Sequence, residues 1–68
     1  MAEQQAISEL VDEKQAAEIL GISVSWLRKR RWNRLPPEYV KLGAAVRYSV
    51  DDLRRFLESR RVGTIAER

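Results

Sequence analysis

Two helical segments joined at a glycine constrain the fold of this chain more than any other feature. Asp12 opens a capping-box pattern that precedes a run rich in helix-forming residues. Gly21 ends this segment, because glycine best tolerates the left-handed conformation found at helix C-termini. Ser23 is the next N-cap candidate. The pattern therefore predicts helices over residues 12–20 and 24–32, joined by a tight turn.

The sequence changes from helix-forming to β-forming at Pro36-Pro37. Two consecutive prolines cannot continue a helix, and they force an extended segment. Two β-prone runs follow, at residues 39–42 and 46–49, and a short connection over residues 43–45 contains a glycine. This arrangement predicts a β-hairpin.

A third helix is predicted after the hairpin. Ser49 and Asp52 have the spacing of an N-cap and its N3 residue. Leu53, Phe56 and Leu57 are spaced i, i+3 and i+4, which predicts a buried stripe. The predicted fold class is therefore mostly α with a β-hairpin wing, a winged helix-turn-helix of element order α-α-β-β-α.

Length and composition bound the domain organisation and the chemistry. Sixty-eight residues make one domain, predicted as a flexible lead-in over 1–9, the winged domain over 10–62 and a flexible tail over 63–68. The chain has no cysteine and no histidine, which excludes metal sites and catalysis built on those residues. We expect no enzyme activity and no cofactor. An acidic N-terminus and the lack of a long apolar run predict a cytoplasmic protein that does not bind membranes.

Positive charge is concentrated in the middle of the chain. Residues 1–24 carry a net charge of −4, residues 25–50 carry +6, and residues 51–68 carry +1. Ten of the thirteen basic residues are arginine, which binds phosphate and guanine through two parallel hydrogen bonds more readily than lysine does. This distribution predicts a polyanionic partner. The alternative is a charged face that serves solubility alone.

The second helix is the predicted recognition helix. Small polar residues at its start let the backbone approach a major groove about 12 Å wide, while long basic side chains reach the base edges. The serines at this start are expected to bind phosphates, helped by the helix N-terminus. The predicted contacts with double-stranded DNA are Ser23, Ser25, Trp26, Arg28, Lys29, Arg30, Arg31, Arg34, Lys41 and Arg47.

Several of these residues have a structural alternative. Trp26 either packs between helices or contacts DNA. Arg30, Arg31 and Arg34 either bind the DNA backbone or pair with an acid such as Glu38 or one on the third helix. The other tryptophan, at position 32, is predicted to cover the small core.

Three motifs in this order resemble a known family. They are Ala16-Ala17…Leu20-Gly21-Ile22-Ser23, the Pro-Pro-x-Tyr-Val-Lys-Leu-Gly run at 36–43, and Val46-Arg47-Tyr48 followed by Asp52-Leu53. Over about residues 10–60, the chain resembles the small winged helix-turn-helix proteins of the excisionase and AlpA-like regulator group, relatives of MerR-type DNA-binding domains. The sequence departs from that group in two places. Ala44-Ala45 forms the wing tip where many relatives have a basic or polar residue, and Trp26 replaces a common threonine.

The resemblance implies sequence-specific binding of double-stranded DNA, often by several copies that associate along one site. Ser23, Ser25, Arg28 and Lys29 correspond to recognition-helix contacts, and Arg47 corresponds to a wing contact. The function would be that of an excisionase of a phage or mobile element, working beside an integrase or recombinase, or that of an AlpA-like transcription regulator. A protein-interaction adaptor is the alternative of another class. The serine-bearing helix start and the wing favour DNA, because an adaptor needs neither.

Overall fold

The computed structural model describes residues 9–62 and shows three helices and a small antiparallel sheet in the predicted winged helix-turn-helix arrangement. In chain order the elements are β1 Leu10–Val11, α1 Glu13–Leu20, α2 Val24–Trp32, β2 Val40–Leu42, β3 Ala45–Ser49 and α3 Val50–Ser59. The predictions for residues 1–8 and 63–68 lie outside the described residues. Within residues 9–62, no helix is long and apolar enough to cross a membrane.

Helix α1 begins and ends at the residues that the sequence indicated. The backbone N–H of Gln15 donates to Asp12 Oδ1 at 2.8 Å, and the N–H of Asp12 donates to Gln15 Oε1 at 3.1 Å. Both halves of the capping box are thus formed. At the other end, Gly21 has φ 70° and its N–H donates to the Glu18 carbonyl. The turn between α1 and α2 therefore depends on a residue that adopts the left-handed conformation without strain.

Helix α2 begins at a serine cap and is followed, two residues after its end, by a left-handed residue that is not glycine. The Ser23 hydroxyl accepts a hydrogen bond from the backbone N–H three residues on, at 3.0 Å. After the helix, Arg34 has φ 58°, its N–H donates to the Arg31 carbonyl, and the Leu35 N–H donates to the Arg30 carbonyl. This pair of hydrogen bonds is the Schellman arrangement, which usually has glycine in place of Arg34.

The hairpin turn is one residue shorter than predicted. Leu42 pairs with Ala45 across the two strands, so the turn consists of Gly43 and Ala44 alone. Gly43 has φ 65°, as the first residue of a two-residue hairpin turn requires. The prediction of a connection over 43–45 was wrong at its last residue, because alanine has a low strand propensity and gives no signal that it pairs.

Strand β1 was not predicted. Its two residues pair antiparallel with Tyr48 and Ser49, which places β3 between β1 and β2 in the sheet. The Val50 N–H also donates to the Glu9 carbonyl at 2.9 Å. A strand of two residues is too short to show the alternation of apolar and polar residues by which strands are recognised in sequence.

The core is small and lies where the sheet meets the three helices. Its buried side chains are Val11, Ala16, Ala17, Leu27, Tyr48 and Leu53. Of the stripe predicted on α3, Leu53 is fully buried, Phe56 is half-buried and Leu57 is 40% exposed. The prediction that Leu57 is buried was wrong, because α3 packs on α1 and β3 through one side and no described element covers its flank.

The prediction that Trp32 covers the core was also wrong. It is the last residue of α2, and its side chain is 70% exposed. The core contact of α2 is made five residues earlier, at Leu27. Trp32 instead lines the grooves beside the C-terminal end of α2.

Candidate nucleic-acid interface

Helix α2 buries little apolar surface. Of its nine residues, Leu27 is the buried one, and Val24 is partly buried against the core. Three basic residues occupy its last turn, and Arg28 precedes them. A surface helix normally buries a broad apolar stripe, and α2 has almost none. The helix therefore contributes one fully buried side chain to the core and presents a basic surface.

A groove of about 570 Å³ separates α2 from the wing. Its lining residues come from the start of α1, from α2 and from the hairpin, and they are Asp12, Glu13, Lys14, Arg28, Arg31, Trp32, Ala44, Ala45, Val46 and Arg47. The structure thus brings together the predicted site residues Arg28, Arg31 and Arg47. It adds Glu13, Lys14 and Trp32, which the sequence did not indicate as site residues.

Glu13 binds two arginines of α2. Arg28 donates through Nε to Glu13 Oε1 at 3.2 Å and through Nη2 to Glu13 Oε2 at 2.6 Å. Arg31 Nη1 donates to Glu13 Oε1 at 3.3 Å and lies 3.5 Å from the Tyr48 hydroxyl. The hydrogen bond from Arg28 lowers the pKa of the Glu13 carboxyl below its ordinary value. The carboxylate is therefore ionised at neutral pH and ties α1 to α2.

Trp26 and Arg30 form a second cluster, directed towards α3. The rings of Trp26 and Phe56 lie 6.4 Å apart, and the Arg30 guanidinium lies 4.8 Å from the centre of the Trp26 ring. Arg30 Nε also donates to the Pro36 carbonyl at 2.7 Å. Trp26 therefore packs against Phe56 and Arg30, while 39% of the residue stays exposed. Its contact with DNA stays a prediction.

Three predicted contact residues have side chains available to a partner. Lys29, Arg34 and Lys41 are exposed, and within residues 9–62 none of their side chains forms an ion pair or a hydrogen bond. Arg47 lies on the wing, and its Nη1 donates to the neighbouring Val46 carbonyl at 2.8 Å. The pairing with Glu38 or with an acid of α3 that the sequence allowed for Arg30, Arg31 and Arg34 is not formed within residues 9–62.

The serines at the start of α2 occupy different positions. Ser23 accepts the capping hydrogen bond, so its hydroxyl hydrogen stays available to donate. Ser25 is exposed in the first turn of α2. Both lie where the first backbone N–H groups of the helix and its dipole favour an anion. Phosphate binding by these two residues stays a prediction.

The comparison with protein families agrees with this architecture. The family described as a helix-turn-helix domain matches residues 10–61, from β1 to just beyond α3. No curated protein matches the chain significantly. The family match covers most of the chain and supports DNA as the partner. The chain belongs to the helix-turn-helix domain family.

Proposed function

We propose that the chain binds double-stranded DNA in a sequence-specific manner, with α2 in the major groove and the β2–β3 hairpin against the backbone. The observation that carries this proposal is that α2 buries Leu27 and exposes a basic surface beside the wing. A helix that contributes so little to the core is best explained by a contact with another molecule. An electrophoretic shift with duplex DNA at two salt concentrations tests the proposal.

The distribution of paired charges supports the same surface. The ion pairs on α3 and just after it join residues three apart and are Arg54–Asp51, Arg55–Asp52 and Arg61–Glu58. Most of the positive charge on α3 is therefore balanced locally. The side chains of Lys29 and Lys41 have no such partner within the described residues. Positive charge without an acidic partner is therefore present on α2 and the wing, where a polyanion would bind.

Replacing α2 residues should alter sequence preference, whereas replacing a wing residue should not. Arg28→Ala or Lys29→Ala is expected to reduce discrimination at particular base pairs by about 5- to 150-fold where the side chain makes a bidentate contact. Arg47→Ala should weaken binding to every duplex, selected or scrambled, by the same factor, since backbone contacts carry no sequence information. Fluorescence anisotropy with a duplex selected from a random library, and with scrambled duplexes, measures both effects.

Arg54→Ala is the control, because it removes an exposed arginine that pairs within α3. It should leave discrimination unchanged. An even loss of affinity across selected and scrambled duplexes for Arg28→Ala, Lys29→Ala and Arg47→Ala would show that this division of roles is wrong.

The finer function that we propose is that of an excisionase of a phage or mobile element, acting beside an integrase or recombinase. An AlpA-like regulator of transcription would use the same interface. One recognition helix reads few base pairs, which is too little for selection among the competing sites of a genome. Several copies on adjacent repeats would supply the missing specificity, and DNA bending by such an array would suit excision.

We therefore expect a monomer in free solution and stepwise, cooperative complexes on a duplex with several sites. Sedimentation velocity gives the oligomeric state of the free protein, and the shift assay gives the steps. A tight dimer without DNA, together with a single-step shift on a palindrome, would contradict the array and favour a conventional dimeric repressor.

A further inference from the structure

We propose that Glu13 is a positioning residue that determines specificity by directing Arg28 to a base edge and away from phosphate. The inference rests on the proposed binding of DNA and adds a residue of α1 to the reading of sequence. Glu13 is the one carboxylate that binds an arginine of α2 within the described residues. It lies in the groove between α2 and the wing.

The geometry of the ion pair leaves one edge of the Arg28 guanidinium open. A guanidinium has five N–H donors, one on Nε and two on each Nη atom. Glu13 takes the edge formed by Nε and Nη2. The edge formed by Nη1 and the second N–H of Nη2 has no partner among the described residues, and the side chain is 49% exposed. Two parallel donors of this kind match the O6 and N7 acceptors of guanine.

The carboxylate is itself fixed in position. Glu13 is the first residue of α1 and directly follows the Asp12 cap. Arg31 holds the same carboxylate from the core side, since its side chain is 16% exposed and lies near the buried Tyr48 hydroxyl. Arg28 is therefore held by a carboxylate that the fold has already placed. We infer that Arg31 supports Glu13 and does not itself reach DNA.

The charge of Glu13 affects phosphate and base contacts differently. A phosphate that approaches Arg28 meets a negative carboxylate on the same guanidinium, and the two anions repel each other. Guanine acceptors carry no net charge, so the same repulsion is absent. Non-specific binding depends mainly on phosphate contacts. Glu13 should therefore weaken non-specific binding more than specific binding, which is a form of discrimination by repulsion.

The test compares Glu13→Gln with Glu18→Gln. Both variants remove one negative charge from α1, but Glu18 is exposed and its side chain has no ion pair within residues 9–62. Affinity is measured for a duplex selected with the wild-type protein and for a scrambled duplex of the same composition. Glu13→Gln should lower the ratio of the two affinities by about tenfold. It should also steepen the log–log salt slope on the scrambled duplex by about 0.9, the effect of one added phosphate contact.

Glu18→Gln should strengthen binding to both duplexes equally and leave their ratio unchanged. If Glu13→Gln, like Glu18→Gln, changed both affinities equally and left their ratio unchanged, the proposed role of Glu13 would be wrong, although DNA binding itself would stand. Failure of the wild-type protein to bind either duplex would instead overturn the proposed function.

A measurement on the wild-type protein covers the case in which Glu13→Gln does not fold. The Nε–H resonance of Arg28 should stay visible and protected from exchange in the complex with the selected duplex, because Glu13 still accepts from it. Loss of that protection in the specific complex would show that the pair breaks on binding, and the proposal would be wrong.

Discussion

Raising the salt concentration from about 50 mM to about 200 mM should weaken binding to duplex DNA by about 250- to 1,000-fold. Seven basic residues and one acid between positions 25 and 50 can supply about 4–6 phosphate contacts for each copy. At about −0.9 for each contact, the log–log slope of affinity against salt is roughly −4 to −5. Fluorescence anisotropy of a labelled duplex, repeated across the salt series, measures this slope.

Lys41→Ala provides an internal check on the source of the slope. Lys41 lies exposed on β2 without an ion pair in the part of the chain that the structure describes. Its removal should make the slope shallower by about 0.9 if it contacts a phosphate. A slope near zero for the wild-type protein would contradict DNA binding. Tighter binding to an acidic polypeptide than to duplex DNA of equal charge would support the adaptor alternative.

Leu27→Ala should remove most of the stability of the domain. Leu27 is fully buried and is the buried residue of α2. Truncating a buried leucine to alanine costs about 2–5 kcal/mol, because apolar contacts are lost and a cavity remains. Below about 70–80 residues, a single hydrophobic core rarely supplies more than about 3–5 kcal/mol. We therefore expect a large unfolded fraction at 25 °C and a corresponding loss of DNA binding.

Leu57→Ala removes the same atoms at a position that is 40% exposed on α3. The free energy of unfolding should fall by about 1 kcal/mol or less. Urea unfolding followed by circular dichroism compares the two variants with the wild-type protein. Equal losses for both variants would show that α2 is not held to the core through Leu27.

The parts of the fold that depend on local chemistry were predictable from sequence. The caps at Asp12, Ser23 and Ser49 and the left-handed Gly21 fix where the three helices begin and where α1 ends, and each acts within three or four residues. Strand β1 was not predictable, because its two residues form a strand only when β3 lies beside them. Leu57 is exposed because no described element covers that flank of α3. The spacing of apolar residues along a helix does not show which neighbours the helix will have.

The basic residues of the candidate site were predictable from the sequence, but the ion pairs that hold them in position were not. The density of arginine and lysine on one short segment is visible in the sequence. The ion pair between Glu13 and Arg28 joins positions fifteen apart and exists only because α1 and α2 cross at the Gly21 turn. An acid in the first turn of a helix is usually explained by the helix dipole, so nothing in the sequence separated Glu13 from that role.

Amide chemical-shift mapping of the ¹⁵N-labelled protein with a selected duplex tests the DNA-binding surface most directly. We expect the largest perturbations at residues 23–31 of α2 and its cap and at residues 41–47 of the wing. Helix α3, Val50–Ser59, should change little. Perturbations confined to α3, or no perturbation with the duplex in excess, would contradict the assignment of α2 as the recognition helix.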